Sequence, residues 1–359
     1  MSFCYNYVSY DYSNHIIQLS SCRRKEKLRN PYFDNIKAIL IVLVVLGHTL
    51  SEVFTANQWI SSIYMFIYLF HMPAFILISG YFAKRITSFR DILKLAEKLL
   101  VPYVIFQVCY TLYYNQIFGD QCSFSLSDPR WGLWFLISLF CWNLMLSIFR
   151  KRKKALLIAI LISLFVGYFT FINEYFTLSR TFFFFPFFLC GFLMEKKHFN
   201  WMKQKWNVWL SSIGLVIIFI LVYNYGNIEW REWFYGRIGY ENISAELANY
   251  GLFIRAFVYI LMGITTYCFL AIVTNKQLFF TKVGKQTFPI YIFHMFIIKF
   301  VHDFYILDWI MDNHYYFLLF IIPIMVVYLL TREPFITIGA YICKLNRWKG
   351  IIGNVQKAR

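Results

Sequence analysis

From residue 36 almost to its end the chain alternates long apolar runs with short polar, mostly basic ones. A helix that crosses a bilayer needs about 20 predominantly apolar residues. Ten stretches approach that length: 36–54, 60–83, 99–118, 132–149, 155–173, 181–195, 207–224, 251–274, 286–301 and 315–331, the sixth and ninth being the shortest. The pattern predicts an all-α, polytopic membrane protein with about ten transmembrane helices. The first 30 residues are polar and tyrosine-rich, without the apolar core or small-residue cleavage site of a signal peptide. The first spanning helix is therefore expected to act as an uncleaved insertion signal. Residues 31–345 form the expected integral-membrane unit, flanked by a cytoplasmic segment, 1–30, and a cytoplasmic tail, 346–359.

Composition and charge sharpen this reading. With 60% hydrophobic and only 15% charged residues, the chain is not an ordinary soluble domain. A formal charge of +17 would suit a nucleic-acid binder, but the basic residues sit in clusters between the apolar runs. On a ten-helix count, 29 of the 35 Lys and Arg fall on one side, the distribution expected of cytoplasmic loops. Both termini are then cytoplasmic, the partner is the lipid bilayer, and no nucleic acid is expected. The opposite side holds only Arg130, Arg180, Arg231, Arg237, Arg255 and Lys299, among acids such as Asp120, Glu229, Glu241 and Asp303. The eight cysteines are scattered without C-x-x-C spacing and read as small buried hydrophobes, neither a disulfide framework nor a metal site. No internal repeat of the transporter kind is visible. The largest loop on the sparse side, 225–250, mixes aromatics, acids and arginines. It fits an amphipathic cap on the membrane surface or a contact for sugars.

Candidate chemistry centres on residues 33–48, FDNIKAILIVLVVLGH. In a helix, Lys37 and His48 lie roughly 20° apart on one face and about 16 Å apart along the axis, with Asp34 within about 40° of the same face. Lys37 alone is equally well an interfacial anchor with Asp34 as its i,i+3 partner. His48 is harder to dismiss, because an ionisable group inside the membrane is costly and marks function by default. Imidazole titrates near neutrality and can act as a general base. A cation at the rim and a base deeper in suit a long anionic carrier with an acyl thioester at its tip, which is the shape of acyl-coenzyme A.

This stretch resembles the basic-x10-His motif of the bacterial integral-membrane acyltransferase-3 family, in the form of its fucose 4-O-acetylase-like branch. FHMPAFILISGYF (70–82), KLAEKLLVPY (94–103), WGLWFL (131–136), RTFFFFPFFLCGF (180–192) and FPIYIFHMFII (288–298) are similar to further motifs of that branch, in order. The resemblance spans residues 30 to 345. It implies O-acylation of a carbohydrate from acyl-CoA, with His48 as the catalytic residue and Lys37 in the same motif. Lys stands where many members have Arg, and the two are not equivalent at a phosphate. The chain also lacks the soluble esterase-like domain of some members, so the resemblance is to the minimal membrane unit.

Other residues are weighed beside these. Lys94 and Lys98, one turn apart, can grip coenzyme A phosphates with Arg85 and Arg90, or simply orient a helix against lipid headgroups. His71, two residues before Pro73, can satisfy a carbonyl freed by the proline or face a cavity. Ser79-Gly80 suits a close helix contact better than a nucleophile, since no Ser-His-Asp set accompanies it. Arg180 can hold an acidic or hydroxyl-rich acceptor or anchor at the interface. His294 is intramembrane and a candidate. Trp131 and Trp134 can stack on a sugar or belong to an aromatic belt. Phe182–Phe185 are expected to face lipid or pack between helices, and His15, His198, His302 and His314 to be solvated.

The expectation is a bacterial inner-membrane O-acyltransferase using acetyl-CoA as co-substrate and no metal. It would modify a hydroxyl of a surface polysaccharide or its lipid-linked precursor. Catalysis would involve His48 and Asp34, with Lys37, Arg85, Arg90, Lys94 and Lys98 holding the donor. The acceptor would meet His71, Arg180, His294, Trp131 and Trp134. A glycan or lipid exporter without chemistry, or an O-succinyltransferase on the same scaffold, are the rival readings.

Overall fold

The computed structural model describes residues 30–149, 154–172 and 175–344. The expected terminal segments, and the basic run 150–153, lie outside them. Every regular element among the described residues is helical. Each expected apolar segment is occupied by a helix, but not all reach spanning length. Among the described residues six helices are individually long and apolar enough to cross a membrane, and two bent pairs raise the number to eight if each is one span. The expected ten is not reached by length and composition, for two local reasons. The helix at Ala155–Val166 stops at Gly167, where a Cβ would lie 2.3 Å from the Tyr240 ring. The helix at Phe89–Tyr113 carries Asp91, Lys94, Glu97 and Lys98 in its first ten residues.

Helix α1 (Pro31–Leu50) starts where composition dictates. Asn30 caps the Tyr32 amide at 3.0 Å and Pro31 opens the first turn. It packs against α2 (Gln58–Tyr81), against α12 (Thr287–Asp303) and α14 (Leu318–Leu330), and against the tight turn Phe279–Lys285. That turn lies backbone to backbone on α1: a Cβ on Gly284 would sit 1.8 Å from the Asp34 carbonyl oxygen. The fully buried Asn35 ties the same end down, donating to Thr274 O (2.9 Å) and Lys276 O (2.8 Å) and accepting from Thr281 Oγ1 (2.6 Å).

Helix α3 (Phe89–Tyr113) begins with a reciprocal cap between Ser88 and Asp91. Hydrogen bonds from Thr87 and Ser88 hold the exposed Asp91 carboxyl down to about 2. The helix runs on into a π-turn, Tyr114–Phe118, closed by Gly119 at φ +72°. The segment that follows folds back along it. Gln107, fully buried, donates to Ser125 O and Asp128 O and accepts from the Arg130 amide. This bracing carries Arg130 and Trp131 into the bundle ahead of α4 (Trp134–Phe149).

After α5 (Ala155–Val166), helix α6 (Leu178–Leu193) makes the closest helix contact, with α2. A Cβ on Gly80 would fall 2.0 Å from Phe188 O, and one on Gly191 1.9 Å from Leu77 O. The two glycines thus let the two backbones touch, as small residues do between membrane helices. Ser79 only donates to Phe75 O at 2.8 Å. Phe183, Phe184 and Phe185 are buried in the packing between helices. The short α7 (Lys196–Met202) leads to α8 (Lys205–Tyr225). Exposed Trp209, Ile213, Val216, Ile217 and Ile220 on α8, and Phe253, Phe257, Ile260 and Ile264 on α11 (Gly251–Ile272), form apolar stripes at helical spacing. Exposed apolar stripes of this kind suit contact with lipid.

Between α8 and α11 the loop 225–250 is exposed at both ends and inserts its middle into the bundle. It forms α9 (Arg231–Tyr235) and α10 (Tyr240–Ile243) and is anchored by buried Trp233, Phe234 and Tyr240. The Tyr240 hydroxyl donates to Leu164 O (2.7 Å) and its amide to Gly167 O (2.7 Å). Gly236 takes φ +59° with the Phe183 ring against its α-carbon, a place only glycine fills without strain. Two bent pairs finish the chain: α12 with α13 (Ile306–Asp312, 54°) and α14 with α15 (Phe335–Lys344).

Candidate active site

A cavity of about 880 Å³ runs through the bundle, near the upper end of the roughly 300–1,000 Å³ usual for small-molecule sites. Its lining includes Ser79 and Lys98 towards the end bearing Lys37. His48, Trp131, Trp134, Tyr291 and His294 line its middle. Asp120, Arg130, Arg231, Tyr235, Arg237 and Lys299 line it towards the other end.

Helix α1 delivers the half-buried His48 to the middle of the cavity in its last turn. The ring centroid of His294 lies 5.3 Å away and that of Trp131 6.1 Å away. Gly47 beside His48 leaves room for the Tyr68 ring, 3.3 Å from where a Cβ would be. His294, on α12, is almost fully buried, and its Nδ1 meets Tyr291 O at 2.8 Å and Ile290 O at 3.1 Å. A carbonyl only accepts, so Nδ1 carries the proton and Nε2 of the neutral ring is an acceptor. That Nε2 is buried and has no hydrogen-bond partner among the described residues. Buried polar atoms are nearly always satisfied, so this acceptor marks a place for a donor. Trp131 is held at φ +47°, a costly conformation for a bulky residue, and the Tyr291 hydroxyl pins the following turn by donating to Gly132 O at 2.7 Å. Strain of this kind concentrates at functional sites.

His71 also lines the cavity, with Nδ1 on Ile67 O at 2.8 Å. Pro73 deprives the Leu69 carbonyl of its helical partner, so the bond does not satisfy the carbonyl that the proline frees. Trp134 stacks under the Arg180 guanidinium at 4.9 Å. Both sequence-expected aromatics line the cavity.

The expected donor-binding set is divided. Lys98 lines the cavity, whereas Arg85, Arg90 and Lys94 are exposed and do not. Lys37 does not line it either; its ammonium lies 2.9 Å from the Asp34 carboxylate, with 13% and 3% of the two side chains exposed. Asp34 lies fourteen residues from His48 on one helix, about 21 Å along the axis. It is Lys37's partner, not a group that can orient the imidazole. His302, expected in solvent, has a side chain only 7% exposed, 3.5 Å from Glu52.

Sequence reasoning passed over Asp120, Arg130, Tyr68, Arg231, Tyr235, Arg237, Tyr291 and Lys299, all in the lining. One signal was available. Of the six cations on the sparsely basic side, all but Arg255 reach this cavity. Arg255 is instead buried, donating to Ser163 O at 3.1 Å with its guanidinium against the Tyr240 and Phe183 rings.

With the geometry in place, known proteins give a direct comparison. The acyltransferase-3 family, described as an acyltransferase domain, matches residues 30–332. The chain belongs to this acyltransferase family. It is similar to nodulation protein NolL of Sinorhizobium fredii (strain NBRC 101917 / NGR234), 33% identical over 159 residues that make up 40% of this chain and 43% of that protein. It is also similar to nodulation protein NolL of Mesorhizobium japonicum (strain LMG 29417 / CECT 9101 / MAFF 303099), 44% identical over 64 residues, 17% of each chain. The chain thus spans less than half the length of the curated relatives it matches. No solved structure matches it.

Proposed function

We propose that this member of the family is an O-acetyltransferase of the fucose 4-O-acetylase-like kind. It would move an acetyl group from acetyl-CoA to a hydroxyl of a cell-surface polysaccharide or of its lipid-linked precursor. It would act in a bacterial inner membrane, in a ten-span arrangement with both termini cytoplasmic. The observation that carries the reading is the place of His48, in the middle of one cavity that reaches Lys98 on one side and an arginine- and aromatic-rich wall on the other. In this reading the donor's phosphates meet Lys98 in the lining, with the exposed Arg85, Arg90 and Lys94 preceding it in the chain.

His48 takes the proton of the acceptor hydroxyl as the hydroxyl oxygen bonds to the thioester carbonyl carbon. The tetrahedral intermediate collapses by breaking the carbon–sulfur bond. The histidinium returns the proton to the departing thiolate, so the free thiol and the ester are the products. His294, with a buried acceptor nitrogen beside the His48 ring, can hold the acceptor hydroxyl or a neighbouring one. Lys37, paired with Asp34, supports the fold at the donor end.

The test is proton NMR and mass analysis of the host's surface glycan, comparing cells with the intact protein, with His48→Ala and with none. O-acetyl signals found only with the intact protein, at equal glycan quantity and equal membrane level of the variant, support the reading. Loss of exported glycan with unchanged acetylation per repeat replaces it with export.

A further inference from the structure

Six buried side-chain polar atoms have no hydrogen-bond partner among the described residues: Tyr114 Oη, Arg130 Nε, Arg255 Nε, Thr266 Oγ1, His294 Nε2 and His302 Nε2. Three of them, on Tyr114, Arg130 and His294, belong to residues that line the same cavity. Buried polar atoms are nearly always satisfied, and each exception has a cost. Three on one wall therefore point to a molecule in the cavity as their partner. The fold sets these groups up by itself. Tyr114 opens the π-turn, where its carbonyl accepts from the Asp120 amide at 3.2 Å, and the Lys299 ammonium lies 5.4 Å from its ring centroid. Arg130 is fixed at both ends: its amide donates to Gln107 Oε1 at 2.9 Å and its Nη2 to Ser123 O at 2.8 Å, which leaves Nε over. His294 spends Nδ1 on the Ile290 and Tyr291 carbonyls. Side chains held in this way lose little freedom on binding.

The three atoms demand different things. Arg130 Nε–H only donates, His294 Nε2 only accepts, and the Tyr114 hydroxyl does either. A bare oxyanion satisfies Arg130 and offers His294 nothing, and an acyl chain satisfies none of them. A set of neighbouring hydroxyls satisfies all three. Charge adds no preference of its own. Arg130 and Lys299 share this part of the lining with Asp120 and Asp128, two cations with two carboxylates, and Lys299 is bonded to Asp120 at 3.0 Å. Trp131 lines the cavity beside Arg130, its ring 6.1 Å from that of His48. It supplies the apolar face that small-molecule sites combine with a few placed polar groups. A pantetheine arm also carries donors and acceptors, but Lys98, the cation that suits its phosphates, lines the cavity towards its other end.

We propose that Tyr114, Arg130 and His294, with Trp131 as the stacking face, form the subsite that holds an uncharged, hydroxyl-bearing sugar ring of the acceptor. A hydroxyl held at His294 stands beside the His48 ring, whose centroid is 5.3 Å from that of His294. The proposal deepens the acyltransferase reading by naming the ring's chemistry and the residues that bind it, and rests on that reading only for the word acceptor.

Binding can be tested without turnover. Protein in nanodiscs is titrated with the methyl glycosides of galactose, glucose, mannose and N-acetylglucosamine, with methyl galacturonoside as a charged counterpart, and with pantetheine, following tryptophan fluorescence. At least one neutral glycoside is expected to bind, with an affinity that salt leaves unchanged. Tyr114→Phe removes the hydroxyl and keeps the ring, and Arg130→Lys removes Nε–H and keeps the charge. Each is expected to weaken the neutral glycoside about five-fold, the effect of one lost hydrogen bond. Tyr114→Phe is also expected to unfold at the wild-type temperature or above it, since the hydroxyl makes no hydrogen bond among the described residues. Affinity lost without stability lost separates binding from packing. Absence of binding by every neutral glycoside overturns the proposal, and so does a Tyr114→Phe variant that loses affinity and stability together. An affinity that both variants leave unchanged overturns it too, as expected if bound water alone serves these atoms. So does a preference of about ten-fold or more for methyl galacturonoside, which would make charge the selector. Variants that weaken pantetheine and not the glycoside overturn it by giving this wall to the donor. Failure of His48→Ala to abolish acetylation would bear on the acyltransferase reading alone.

Discussion

The two ends of α1 carry the two halves of one sequence motif and meet opposite fates. At the first end, Asp34, Asn35 and Lys37 are consumed by the fold: an ion pair at 2.9 Å, three hydrogen bonds to the 274–281 segment and a backbone contact at Gly284. At the other, His48 lines a cavity and meets the rings of His294 and Trp131. Spacing put Asp34, Lys37 and His48 on one face, yet only one end opens onto space where chemistry can occur. A shared helical face is thus a weaker guide to shared function than a shared cavity.

Substitutions along α1 can break this contrast. The largest effect is expected for His48→Ala, a fall in acyl transfer of about 10²–10⁴-fold, the usual contribution of a general base. Thermal unfolding of that variant in detergent should stay near wild type, because the half-buried imidazole lines a cavity and makes no hydrogen bond among the described residues. Asp34→Asn is expected to cost about 3 kcal/mol of stability, as breaking one partner out of a buried pair does. Its turnover per folded molecule should stay within about ten-fold of wild type, since no protonation step of the proposed mechanism uses it. A loss as deep as that of His48→Ala would return Asp34 to the reaction and erase the contrast. Asn35→Ala removes one buried and two part-buried hydrogen bonds, worth about 1 kcal/mol each. It should lower the unfolding temperature without changing KM for acetyl-CoA. The smallest effect is expected off the helix. Lys98→Gln should raise KM for acetyl-CoA about five-fold with kcat unchanged, as loss of one exposed charge at roughly 1 kcal/mol would do.

Legibility in the sequence followed the range of the forces involved. Gly80 was readable as a close contact, because a small residue in an apolar run has few other uses there; its counterpart Gly191 came only from the packing of α6 on α2. Pro73 and His71 were readable as an unusual pair, but not the bond to Ile67, which depends on the rotamer the bundle enforces. The fifth apolar run looked long enough to continue to residue 173, and only the Tyr240 ring, arriving from a distant loop, ends it at Gly167. Phe183–Phe185 gave no hint whether they would face lipid or helices; apolar neighbours satisfy both, and α4 and α11 took them inside.

By itself, then, the sequence determined an all-helical membrane protein, the apolar segments, the charge asymmetry between their ends and His48 as the group to watch. These rest on periodicity and transfer free energy, which act residue by residue along the chain. Only the tertiary structure decided that His294 stands beside His48 and that Arg180, Arg231 and Arg237 gather on Tyr235. Each of those depends on which helices pack together and where a loop folds back between them, and no local pattern carries that information.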